Sequence, residues 1–472
     1  MISRPFDSCK QSWASSTFSK CPWWPYVGTL CKLNRRQCQL ARTVGEKEGI
    51  MIPADENKLL MEVGPGTLMG ELMRRYWMPL AAVAELDDNP IKSVRLMGED
   101  LVMYKDKSGT YGLVDLHCPH RRADLSYGIL EEGGIRCNYH GWKYDESGAC
   151  IEQPFEEVAY PDAHFKEKIT IKAYKVEAKA GLLWAYMGPS PAPLVPDWDI
   201  FNDRGYKQVS FTEIPCNWFQ CQENSIDPVH LEWLHGRWSY HLTNGATREP
   251  KPHLKVGFGE FDYGLSYHRV SEGGDEEDEQ WTIGRMCLWP NALYTGHFEW
   301  RVPIDDGNTL SVAWLIDPVP GDEPFEQERI PYWTSPLVDE KTGRWVDTHI
   351  MNQDFIAWVG QNALADRTQE HLGGSDGGII MMRRRMLEEA RIVADGGEPK
   401  AIIRDPEKNH NLYLPRQGRN GPPTTPSPSG RGSGERTDGK APRNVHLARQ
   451  PQEILDEMDK IWAERLAAAP KI

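Results

Sequence analysis

The sequence predicts an α+β chain: an all-β part first, then an antiparallel sheet with helices attached. Three observations carry this. Between residue 92 and about residue 190 run short segments such as KSVRLMGEDLVMYKD, YGLVDLHC, IRCNYHGWKYD and ITIKAYKVEAKAGLLWAYMG, with Val, Ile, Tyr and Trp at near-alternating positions. Strand-like alternation returns over residues 253–315. Helical periodicity marks 213–236, interrupted by Pro228, and 350–392, where a turn at Gly373-Gly374 separates two helices.

In chain order, residues 1–50 look foreign to the rest of the chain. They hold eight Lys or Arg against Asp7, Glu46 and Glu48, and four scattered cysteines, with no apolar core of signal-peptide length. The expectation is a non-native extension, with Met51 as the true start. From residue 66, GTLMGELMRRYWMPL predicts a short amphipathic helix with Leu68, Leu72, Met73 and Tyr76 on one face. This helix and the first β segments make one expected domain, 55–190. The Pro-rich PSPAPLVPDWD (189–199) reads as a linker to a second domain, 195–412. Residues 416–443 are rich in Gly, Pro and Ser and are expected to be disordered, and 444–472 closes on an amphipathic helix.

Composition narrows the function. A chain of 472 residues with 39% hydrophobic content supports two sizeable cores, and its 18 Trp imply rigid pockets or interfaces. A net charge of -15 argues against a nucleic-acid partner, which needs clustered Lys and Arg. No segment approaches the ~20 apolar residues of a membrane span, so a cytoplasmic protein is expected. Ten Cys in a chain this long do not form a disulfide framework.

Four residues in CPHRRADLSYGILEEGGIRCNYH need explaining: Cys118, His120, Cys137 and His140. Zinc, an iron–sulfur cluster and chance are the candidates. A zinc finger normally groups its cysteines before its histidines, whereas here each loop supplies one thiolate and one imidazole. A [2Fe–2S] cluster with two Cys on one iron and two His on the other needs this division. CPHR followed by CNYHGWKYD resembles the Rieske family, including the Gly-Trp after the second His.

Such a domain alone carries electrons, but the chain continues well beyond it. In QCQENSIDPVHLEWLHG, Asp227, His230 and His235 are spaced by three and five. Helical geometry puts Asp227 and His230 on one face, and a break after them would bring His235 to the same point. Two His and a carboxylate are the donors of non-haem Fe(II) oxygenases. With Glu223 ahead of them, these residues resemble the motif of the catalytic subunit of Rieske non-haem iron oxygenases.

That resemblance implies a Rieske domain followed by a helix-grip, START-like catalytic domain. It implies His230 and His235 as ligands of a mononuclear Fe(II), and Asp227 as the carboxylate bridging to His140 of a neighbouring subunit, hence a homotrimer or a multiple of one. Asn217 and Asn224 match polar positions near the iron. MNQDFIAWVGQNALADRTQEHLGGSD resembles the phthalate-dioxygenase branch, which makes Asp354 the carboxylate ligand. Asp366 and Asp376 compete, while Arg367 and Glu370 are expected in ion pairs. Electrons would come from NAD(P)H through a separate reductase, or a ferredoxin, since the chain has no flavin or nicotinamide fingerprint. The expected reaction hydroxylates or O-demethylates an aromatic, carboxylated substrate with O₂. Trp289, Tyr294, His297, Phe298 and Trp300 could line an aromatic pocket with Arg301 holding the carboxylate, although sheet core is the better reading of any single one of them. The alternative is a Rieske electron carrier without mononuclear iron chemistry.

Overall fold

The computed structural model describes residues 52–321, 323–418 and 440–468. The expected extension 1–50, with Met51, and residues 419–439 of the expected disordered insertion lie outside them. All described residues belong to one compact unit, Gly49–Ile472.

The first part is built on β-strands, with short helices between them. Strands β1 (Trp77–Ala82), β2 (Ile91–Leu96), β3 (Glu99–Lys105) and β4 (Tyr111–Asp115) lead into a small meander of β5 (Ile129–Glu131), β6 (Gly134–Arg136), β7 (Lys143–Tyr144) and β8 (Cys150–Glu152). Strands β9 (Ala173–Lys179) and β10 (Leu182–Tyr186) return to close a six-stranded sheet of order β1-β10-β9-β4-β3-β2. The helix predicted from residue 66 spans only Leu68–Met73, opened by Thr67, whose side chain accepts from the Gly70 N–H. It stops before Trp77 because that residue begins β1, which pairs with β10 along its whole length. Here tertiary pairing overrides local periodicity.

The second part is an eight-stranded sheet built from β11 (Tyr206–Ile214), β12 (His253–Phe261), β13 (Gly264–Ser271), β14 (Arg285–Leu288), β15 (Ala292–Tyr294), β16 (Phe298–Asp305), β17 (Asn308–Asp317) and β18 (Tyr332–Thr334). Its order is β12-β13-β14-β15-β16-β17-β11-β18, antiparallel except for the β11–β18 edge. Successive side chains point to opposite faces of a strand, and β16 shows what each face meets. Phe298 and Trp300 pack with Trp184, Trp198, Phe201 and Trp314, in the core shared with the first sheet. Glu299 and Arg301 point the other way, and the Arg301 guanidinium lies 5.2 Å from the ring centre of Trp358 on the helix Ile350–Val359.

The Pro-rich stretch 189–199 is packed, not a free linker. Its Pro193 carbonyl accepts from Trp77 Nε1, its Leu194 N–H donates to Ile403, and Val195 and Trp198 are buried. The edges of the expected disordered insertion are also tied down. Arg416 pairs with Asp203, Gln417 Nε2 donates to the Gly284 carbonyl at 3.0 Å, and Arg443 pairs with Asp459 at 2.7 Å. The helix Gln452–Ala468 comes next, packing Ile454 and Met458 under the second sheet.

Candidate metal centres

Two loops, one between β4 and β5 and one between β6 and β7, bring Cys118, His120, Cys137 and His140 together. Each loop is one closed turn: the Arg122 N–H returns to the Cys118 carbonyl at 2.9 Å, and the Gly141 N–H to that of Cys137 at 3.0 Å. Gly141 makes its turn at a φ of 75°, a conformation that costs an L side chain energy. Both cysteines are buried, the two imidazoles lie 4.5 Å apart, and Trp142 stacks on His120 at 4.4 Å. Burial and the neighbouring His140 hold His120 below the usual imidazole range, so it is neutral at neutral pH, as a metal ligand must be. Its Nδ1 is buried, with no hydrogen-bond partner among the described residues. The Tyr144 hydroxyl lies 3.2 Å from Cys118 Sγ, within reach to donate. Two sulfurs and two imidazoles on separate loops fit a [2Fe–2S] group with mixed ligation.

The second centre is built by helices under the eight-stranded sheet. Asn217 opens the helix Trp218–Asn224 by accepting from the Phe219 N–H. Pro228 cannot donate a backbone hydrogen bond, so the helix cannot run on through it. Asp227 Oδ1 accepts from the Val229 N–H at 2.8 Å instead, and a new helix starts at His230. The expected break between His230 and His235 is absent. Residues Trp233–Trp238 continue as a π-helix. In an α-helix a spacing of five leaves two side chains roughly 140° apart, but the wider π turn follows an i→i+5 pattern, which brings the second imidazole round.

The consequence is a cluster of three donors. His230, His235 and Asp354 each present one ligand atom, all within 4.8 Å of one another. Asp354 Oδ1 is 3.2 Å from His235 Nε2 and 3.9 Å from His230 Nε2. The remaining atoms are oriented by neighbours. His235 Nδ1 is 3.0 Å from Gln353 Oε1, to which it can only donate, so Nε2 carries the lone pair. Asn224 Nδ2 donates to Asp354 Oδ1 at 3.2 Å. His230 Nδ1 stands 3.5 Å from Asp227 Oδ2, an ion-pair distance too long for a good hydrogen bond. Burial pushes the Asp227 carboxyl up, but His230 and the Val229 N–H outweigh this and hold it below the usual carboxylate range. Burial pushes His235 down, and the Asp354 charge more than reverses it. Two imidazoles and one carboxylate converging with free lone pairs fit a divalent iron with open positions.

Other expected residues fall elsewhere. Asn217 is a helix cap that also donates to the Met61 and Asp306 carbonyls. Asp366 and Asp376 cap turns, accepting from the Thr368 and Gly373 N–H groups. Arg367 and Glu370 do form ion pairs, with different partners: Arg367 with Glu223, and Glu370 with Arg383, which also grips Glu223. Trp289, Tyr294, Phe298 and Trp300 are buried sheet core. His297 faces Glu299 at 2.8 Å, and Arg301 pairs with the same carboxylate at 2.8 Å, so Arg301 is already neutralised. It cannot hold a substrate carboxylate, because Glu299, two residues back on the same face of β16, is already its buried partner. Sequence reasoning missed the orienting role of Gln353, although it is adjacent to Asp354.

The Glu223 network should be costly to break. Replacing Glu223 by Gln leaves Arg367, which is fully buried, without its countercharge, and should destabilise the fold by ~3–5 kcal/mol in denaturant unfolding. Burial raises the Glu223 carboxyl, but Arg367 and Arg383 bring it below its ordinary value. Its contribution is therefore complete above the unfolded carboxylate pKa of about 4.3 and is lost as pH falls through the lower folded value. Acid unfolding of Glu223→Gln should accordingly lack that component, and an unchanged stability and acid profile would refute the role.

Comparison with known proteins agrees with this geometry. Residues 76–171 match the Rieske [2Fe-2S] domain, and residues 331–411 match the family described as LigXa C-terminal domain like. The chain is 54% identical to a 5,5'-dehydrodivanillate O-demethylase oxygenase subunit of Sphingobium sp., over 77% of this chain and 87% of that protein. It belongs to the Rieske non-haem iron oxygenases. Another relative is the phthalate 4,5-dioxygenase oxygenase subunit of Pseudomonas putida, 33% identical over 72% of this chain and 86% of that one. A terminal oxygenase of carbazole 1,9a-dioxygenase from Nocardioides aromaticivorans shares the fold with a TM-score of 0.50 and 18% identity, covering 71% of this chain and 97% of that one. This Rieske oxygenase is thus a terminal oxygenase component whose cofactors are a Rieske cluster and a mononuclear iron, which sets aside the carrier-only alternative. Among the described residues, no helix is long and apolar enough to cross a membrane.

Proposed function

We propose that this Rieske oxygenase removes the methyl group of a methoxylated aromatic acid, with Cys118, His120, Cys137 and His140 holding the cluster and His230, His235 and Asp354 the mononuclear iron. The observation that carries the reading is the convergence of three oriented donors, with Asp227 beside His230. The O-demethylase relative at 54% identity favours demethylation over ring dihydroxylation. When bound, the two groups supply an electron store and the reductive activation of O₂. The chain's own residues orient: Gln353 fixes the tautomer of His235, Asn224 steadies Asp354, and Asp227 sets the ring of His230.

Among the described residues, no hydrogen bond, ion pair or ring contact joins the two centres within one chain. Asp227 keeps about a quarter of its side chain exposed, 26%, and Trp233, six residues on, is 59% exposed. Tyr139, at 55%, and Phe155, at 71%, are exposed on the cluster-bearing part. A homotrimer that seats His140 of one subunit against Asp227 of the next would cover both surfaces and complete the electron path. Electrons reach the cluster from NAD(P)H through a separate reductase or ferredoxin in the cytoplasm.

Hydroxylation at the methyl carbon consumes one O₂, two electrons and two protons, puts one oxygen into a hemiacetal and releases the other as water; the hemiacetal then collapses to a phenol and formaldehyde. Purified protein given a reductase, NADH, O₂ and methoxylated aromatic acids should yield a product lighter by one methylene, with one formaldehyde per turnover. Products that gain two oxygens instead would replace demethylation by dihydroxylation.

A further inference from the structure

We infer that Arg269 and Arg285 form the subsite that holds the substrate carboxylate beside the iron-binding triad. This rests on the oxygenase reading above and replaces Arg301, the residue expected from sequence. The strand register places both side chains. Tyr267 on β13 stands opposite Arg285 on β14, and Arg269, two residues further along β13, shares its face. From Arg285 the same face continues through Cys287, opposite Leu293, to Glu299, the side of the sheet that faces the helices. Gln222, on the helix leading to Asp227, donates to Cys287 Sγ at 3.1 Å, which ties this face to the triad's own elements.

Electrostatics gives the same neighbourhood. The Arg285 charge is felt at His235 and at His446, while Tyr267 senses both arginines and Asp227. Both guanidiniums are half-buried, and among the described residues neither has a carboxylate within ion-pair distance. Burial and the Arg285 charge press Arg269 down to about 10, opposed by Tyr267 and by no carboxylate. The acids nearby are engaged elsewhere: Glu232 with Arg237, Glu299 with Arg301 and His297, and Asp354 with the two imidazoles. His446 is pushed down to about 3 by burial and by His297, and His253 is lowered by burial and by Arg269, so both are neutral. The positive charge of this side of the site therefore rests on two uncompensated arginines. Half-buried guanidiniums without a countercharge are costly, and a planar fork matches a carboxylate with paired hydrogen bonds.

The test is equilibrium binding by calorimetry on the iron-loaded protein. The probes are methoxylated benzoates and biphenyl dicarboxylates, each beside its uncharged primary amide. The wild type should prefer acid over amide by at least about tenfold. Arg269→Gln and Arg285→Gln should each erode that preference, and the double variant should abolish it. Arg285→Lys should retain part of it, which separates loss of charge from a misfolded pocket. No acid preference in the wild type, or one that survives in the double variant, overturns the subsite. If neutral methoxyarenes bind and react as well as the acids, the oxygenase reading stands and the subsite falls. If acid preference is lost in the variants while no panel member gives an O₂-dependent product, the subsite stands and the demethylase reading falls.

Discussion

Asp227→Asn should leave the visible and paramagnetic signature of the [2Fe–2S] cluster unchanged and lower turnover by about 100-fold or more. The substitution is nearly isosteric and keeps an oxygen to accept from the Val229 N–H, now at 2.8 Å, so the start of the His230 helix survives. What it removes is charge. Asp227 is an anion at neutral pH because His230 and the Val229 N–H hold its carboxyl low against burial. An amide can neither stabilise positive charge on the imidazole of His230 nor accept a charge-assisted hydrogen bond from a histidine of another subunit. Reduction of the cluster by chemical reductant should proceed normally, while transfer onward slows in single-turnover measurements. Turnover within about threefold of wild type would remove Asp227 from the electron path.

Asp354→Ala should lower bound iron from about three to about two per chain, with acid-labile sulfide still at about two, and abolish product formation. Among the described residues, Asp354 is the one carboxylate whose oxygen approaches both imidazoles, at 3.2 Å from His235 and 3.9 Å from His230. Without it the site offers two neutral nitrogens, a weak set for a divalent cation that prefers a charged oxygen among its donors. Because Asn224 and Gln353 stay in place, the loss can be assigned to the missing ligand. Iron that stays near three per chain would mean that another carboxylate completes the set. Asp366 and Asp376, the competitors by sequence, are occupied as turn caps, so neither substitution should change the iron count.

Much of this chemistry is legible from spacing alone. Cys118-x-His120 and Cys137-x2-His140 pair unlike donors on short loops, and a loop's reach is a local property that needs no tertiary information. The strands of 253–315 and the helix pair over 350–392 also follow from local periodicity, because each buries one face. Strand β11 escapes such a reading because it lies between two neighbours and is buried almost throughout, so it lacks the alternation of a half-exposed strand. The helix near residue 68 is shorter than its periodicity suggests, because β1 pairs with β10, about a hundred residues away.

The sequence by itself determined the family, the donor types and the order in which they occur, since these depend on residue identity and short spacing. Only the tertiary structure decided which side chains remain available. Arg301 has the chemistry of a substrate's partner, but its same-face neighbour Glu299 neutralises it at 2.8 Å. Arg269 and Arg285 look ordinary along the chain, yet adjacent strands leave them without an acid. The turn between His230 and His235 is likewise a π-helix rather than a break. Spacing shows which residues are near in sequence but not which of them meet: the strand turns Glu299 toward Arg301, the π pitch turns His235 toward His230, and the register of β13 on β14 sets what stands beside Arg269 and Arg285.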